Sequence, residues 1–176
     1  MTTDEILHQL KYQAARFVLD KEDKEEIARL LDELMLQGVY YDEFLAVIDG
    51  DDYGPGYKKA LTAALHRLEI LIPPNIHEAA LEIIRHHLNT IVSGISDPIN
   101  PLKWLMNDIY RNYDFVGAAY VGDKIGLSDL VGAYWTLDEW DAFPPRPEEV
   151  DALRVEIKQA AEIWLRDWSN RVPNSK

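Results

Sequence analysis

The sequence predicts an all-α protein, a single domain of about seven helices spanning 1–176. Three observations carry this. Apolar residues recur at three- and four-residue intervals through most of the chain, the period of a helix with one buried face. Helix starts are marked by residues that satisfy free backbone N–H groups: Thr2 with Glu5, Asp23 with Glu26, and Pro147 followed by Glu148 and Glu149. Stops are marked by Gly38 and Gly94.

The chain is organised around a central helix near 75–93. Pro73 and Pro74 end what precedes it, Asn75 can cap it, and Gly94 closes it. Ile76, Ala80, Ile83, Ile84, Leu88, Ile91 and Val92 form its stripe, which Ala79 and Leu81 widen. Before it, residues 3–19 read as a helix with Ile6, Leu7, Leu10, Ala14, Phe17 and Val18 inward. Asp20 to Asp23 break it. A second helix then runs to about Gln37, and the short connection makes the two an antiparallel pair. Residues 39–49 are read as a short helix capped by Asp42, with a strand as the alternative because Val39, Tyr40 and Tyr41 favour one. A loop over 49–56 leads into a helix from about Tyr57 to Ile72.

After the central helix, Asn100 is expected to cap a helix with Pro101 at its first position, ending near Asn112. Residues 114–143 form an irregular segment, broken by glycines and loaded with aromatics. Two short helices or turns, near 114–121 and 128–137, are expected there, or else a small strand pair. The C-terminal helix, near 147–170, has the clearest stripe: Val150, Leu153, Ile157, Ala161, Trp164, Leu165 and Trp168.

Composition narrows the function classes. The net charge is −13, and the first 56 residues hold 14 Asp and Glu against 5 Lys and Arg. A surface of that sign repels phosphates, which speaks against nucleic acid and anionic membranes and in favour of a basic protein partner. There is no cysteine, so disulfides, thiolate metal sites and a cysteine nucleophile are excluded. No apolar run approaches the roughly 18 residues of a membrane span, and the acidic N-terminus lacks the form of a signal peptide. A cytoplasmic protein is expected.

The motifs that could carry chemistry fail on specific positions. Asp49, Asp51 and Gly54 look like the start of a calcium loop, but Ala60 stands where a bidentate Glu is required. On the central helix Glu82 and His86 lie one turn apart. However, Glu78 and Glu82 are followed at three residues by Leu81 and Arg85, not by the His of a di-iron pattern. His77-Glu78 has no second His at the zinc-protease spacing. Residues 117–124 have glycines at phosphate-loop spacing, but Asp123 stands where the Lys belongs. No serine sits in a nucleophile elbow. No catalytic residue, metal ligand or cofactor is assigned, which favours a non-enzymatic role.

Surface features remain. Tyr134, Trp135, Trp140 and Phe143 interleave with Asp138, Glu139 and Asp141. Tyr and Trp anchor protein interfaces, and surrounding carboxylates orient a basic partner. A second patch of the same character joins Tyr40, Tyr41 and Tyr53 to Asp42, Glu43, Asp49, Asp51 and Asp52. The competing readings are aromatics that cover the core and a solvated acidic loop. The expectation is an acidic protein-binding protein, of the kind that neutralises a basic toxin as an immunity protein does. Alternatives are a small metal-binding or hydrolytic domain using the His/Glu face of the central helix, and a structural subunit of a homo-oligomer.

Overall fold

The computed structural model describes residues 1–50, 55–110, 125–140 and 143–167. The protein is all-α: eight α-helices and one π-helical turn, with no strand among the described residues. The chain divides into two compact units, Met1–Glu82 and Ile83–Lys176.

The first unit begins with α1 (Thr3–Val18) and α2 (Lys24–Leu36). Thr2 and Glu5 form the expected capping box, with Glu5 N–H donating to Thr2 Oγ1 at 3.2 Å and Thr2 N–H to Glu5 Oε2 at 2.7 Å. The second box forms by half. Asp23 accepts from Glu26 N–H at 3.0 Å, but the Asp23 N–H goes to Oε1 of the buried Gln13 at 2.9 Å. Glu26 instead holds Arg29. The two helices are antiparallel, since Gln37 just beyond α2 donates to the Met1 carbonyl at 3.0 Å and accepts from Thr3 Oγ1 at 2.6 Å.

Residues 39–41 have no regular structure, Tyr41 being extended, and α3 (Asp42–Ile48) follows, so the helical reading of 39–49 holds. Asp42 is the first helical residue rather than the cap. Tyr41 occupies the cap position without a side-chain bond. Gly50 turns against the end of α3, where a Cβ would stand 2.5 Å from the Ala46 carbonyl oxygen. Next comes α4 (Pro55–Arg67), which stops five residues short of the expected Ile72. Glu69 adopts φ 56°, in the left-handed region. Its N–H bonds the His66 carbonyl at 3.0 Å, and the Ile70 N–H bonds that of Leu65 at 2.9 Å. This is a Schellman cap, and burial of Ile70 in the core draws the chain off the helix axis.

The same cap ends α1 and α2. Asp20, at φ 53°, and Gly38, at φ 87°, take the left-handed position. Lys21 N–H reaches the Arg16 carbonyl, and Val39 N–H the Leu34 carbonyl, both at 3.0 Å. Inside this unit Ile6, Leu10, Ile27, Leu31, Phe44 and Leu61 belong to one buried cluster. An ion pair at 2.9 Å joins Arg67 at the end of α4 to Glu43 at the start of α3.

The central helix, α5 (Ile76–Ser93), matches its expected bounds, and the division between units falls inside it. Asn75 caps it as expected, accepting from Glu78 N–H at 2.9 Å. Ala79, Ala80, Leu81, Ile83, Ile84, His87, Leu88 and Ile91 are buried, while Ile76 in the first turn is exposed.

In the second unit α6 (Ile99–Leu105) begins earlier than expected. Asp97, not Asn100, supplies the side-chain acceptor, taking the Ile99 N–H at 3.0 Å, and Pro98 sits at the cap. The helix continues as a π-helical turn, Met106–Tyr110. Then come α7 (Ser128–Trp140) and α8 (Pro147–Asp167). The helix expected near 128–137 is therefore present, and the segment 114–121 lies outside the described residues. The side chain of Trp164 is buried, and its indole N–H donates to the Ile125 carbonyl at 2.7 Å.

Candidate protein-binding groove

The aromatics of the irregular segment separate by helical phase. Leu130, Val131, Tyr134 and Leu137 face inward on α7. Tyr134 is only 7% exposed and belongs to the interior. Trp135 is 48% exposed and Phe143 78% exposed, while Trp140 is half-buried. Asp138 and Glu139 are exposed beside them, and Asp141 lies outside the described residues.

Trp140 and Phe143 help to line an open groove of about 480 Å³. Its lining follows two helical registers. Thr136, Glu139, Trp140 and Phe143 come from the end of α7 and just beyond, and Glu149, Ala152, Leu153 and Glu156 from α8. Each set has the spacing i, i+3, i+4, i+7, the face of a helix. Pro144 and Pro145 complete the wall between them. Three carboxylates and no Lys or Arg stand among these lining residues.

The carboxylates differ in their commitments. Arg146 spans Glu149: its Nη2 lies 2.8 Å and its Nε 3.2 Å from Oε1, and its N–H donates to Oε2 at 2.8 Å. The Arg146 guanidinium, then its backbone N–H, hold the Glu149 carboxyl below the usual range. Among the described residues, neither Glu139 nor Glu156 makes an ion pair.

The sequence pattern marks Trp140, Phe143 and Glu139 as surface candidates, gives Glu149 only as a helix start and Leu153 only as a core residue, and does not mark Ala152 or Glu156. Their signal was available. Glu149, Ala152 and Glu156 share a face with the core residue Leu153, which makes a carboxylate-edged strip beside the buried stripe. Trp104, on α6, is also exposed and was not singled out.

The second expected patch is less assembled. Tyr40 and Asp42 are exposed. Tyr41 is half-buried, packed edge-on against Phe44 with centroids 5.5 Å apart, and the Arg67 guanidinium lies 6.0 Å from its ring. Glu43 is engaged by Arg67, so this part of the patch is partly neutralised. Asp49 is exposed at the end of α3, and Asp51, Asp52 and Tyr53 lie outside the described residues.

On α5, His87 is 4% exposed, with Nε2 3.0 Å from Oδ2 of Asp108 in the π-helical turn. His86 packs edge-on against His87, with centroids 5.4 Å apart. No group of three His, Asp or Glu able to hold a metal ion occurs among the described residues. No helix among them is long and apolar enough to cross a membrane.

No family model matches the chain, and no solved structure matches it. Among curated proteins, it is similar to the DNA translocase FtsK of Haemophilus influenzae, with 22% identity over 135 residues. The match covers 66% of this chain and 26% of FtsK, so the chain spans about a quarter of that protein's length.

Proposed function

We propose that this protein is a non-enzymatic, acidic protein-binding protein of the cytoplasm. It would occlude the cleft of a basic partner in the manner of an immunity-type inhibitor. The observation that supports this most is the placement of exposed Trp135 and Phe143 beside exposed Asp138 and Glu139, in a chain of net charge −13. Exposed aromatics supply contact area at low entropic cost, and the carboxylates steer a basic surface toward them. The similarity to FtsK transfers no activity here, because DNA contact calls for a basic surface and this chain is acidic throughout its first third.

The test is capture of partners from the native cell at about 0.01 M and 1 M salt, where the Debye length falls from about 30 Å to about 3 Å. The proposal expects a basic protein to be retained at low salt and lost at high salt. Asp→Asn and Glu→Gln changes at 138–139 should weaken retention. Binding indifferent to salt and to neutralisation of both acidic patches overturns it.

A further inference from the structure

We infer that the groove between the end of α7 and the first half of α8 is the anchoring pocket for an arginine side chain on the partner's surface. This rests on the protein-binding reading above and names the chemistry of its contact. The groove has an apolar, aromatic body and an acidic edge. Trp140, Phe143, Pro144 and Leu153 supply its apolar lining, and Glu139 and Glu156, from opposite helices, supply carboxylates that are exposed to solvent. It is an open groove of about 480 Å³, with room for a side chain entering from solvent.

An apolar occupant would leave the carboxylates to be desolvated without compensation, and an acidic one would be repelled. A cation on an aliphatic stem satisfies both parts, with its methylenes against the rings and its head between the carboxylates. Arginine fits better than lysine, because a planar guanidinium stacks on an indole and offers two parallel N–H donors to a carboxylate. At this groove one carboxylate is already taken by an arginine: Arg146 holds Glu149 through Nη2 and Nε, at 2.8 and 3.2 Å from the same oxygen. Glu139 and Glu156, which make no ion pair among the described residues, are the two rim carboxylates left for a guanidinium from outside.

The experiment is a titration of the intact protein with acetyl-Gly-Arg-Gly-amide, followed by the Trp140 indole N–H resonance, which Trp140→Phe assigns. Matched peptides carry norleucine or glutamate in place of arginine. The inference expects a saturable shift with the arginine peptide, at least about threefold tighter than with norleucine, and none with glutamate. The double variant Glu139→Gln/Glu156→Gln should weaken arginine binding at least about threefold. Its melting temperature should match the parent's, since both side chains are exposed. Equal binding of norleucine, or arginine binding unchanged in the double variant, overturns the assignment. If the peptide fails while salt-sensitive capture of a basic protein persists, the groove assignment falls and the protein-binding reading stands. If the peptide binds as expected but no protein is captured, the groove's selectivity for arginine stands, while its assignment to a protein partner falls with the broader reading.

Discussion

At the scale of single residues, the least legible feature is the left-handed backbone at Asp20 and Glu69. Gly38 announces its position, because glycine carries no Cβ penalty there. Asp20 and Glu69 do not, and the Glu69 cap is imposed by the demand that Ile70 be buried. This is why α4 ends at Arg67 although its apolar spacing continues to Ile72. Glu69 is exposed, so Glu69→Gly should stabilise the protein by about 1 kcal/mol, relieving a strained φ without loss of packing. Gly38→Ala should cost about 1 kcal/mol, because an added Cβ meets nothing within 4 Å and only the φ penalty remains. Urea denaturation of both variants measures the pair, and a Glu69→Gly protein less stable than the parent would refute the assigned cap. The aromatics of α7 were partly legible. Leu130, Tyr134 and Leu137 fall at i, i+4, i+7, which places Tyr134 inside. Glycines and the density of rings obscured that register.

At the scale of elements, helix starts were readable where one side chain dominates, as at Thr2, Asp23 and Asn75. The start of α6 was misread, because the acceptor side chain lies before a proline that the pattern reads as a turn. Asp97 prevails over Asn100 because Pro98 and Ile99 already follow it with helical geometry, and Asp97 is also held by Arg154 of α8. Arg154 Nη2 and Nε lie 2.6 and 3.1 Å from Asp97 Oδ2. The guanidinium, against a smaller opposing effect of burial, lowers the Asp97 pKa. A lowered folded pKa means the pair's stabilisation is present above the unfolded value of about 3.9 and is lost as pH falls through the folded one. Both side chains are more than a third exposed, so the contribution should stay below about 1 kcal/mol. Arg154→Ala should move the Asp97 titration, followed by carboxyl carbon resonances, back up toward the ordinary range. Trp164→Phe should cost about 1–3 kcal/mol. It removes the donor to the Ile125 carbonyl and leaves a buried acceptor without its bond. Thermal unfolding checks this, and an unchanged melting temperature would contradict it.

At the scale of the whole molecule, the all-α class was the most secure reading, because it rests on many independent repeats of one period. The groove was only half visible. Its α8 wall doubles as the edge of a core stripe, and nothing in a linear pattern shows which carboxylates of one helix will share a groove with the rings that follow another. Net charge makes a global prediction as well. The sequence isoelectric point is about 4.7, so affinity for a basic partner should fade as pH drops toward that value, which binding measurements from pH 7 to 5 can follow. The three matching helix ends in the first unit have a consequence for exchange with heavy water. Lys21, Val39 and Ile70 lie beyond their helices, yet each amide is tied back to a helix carbonyl. Their protons should exchange as slowly as those of the preceding turns, because release requires the helix end itself to open.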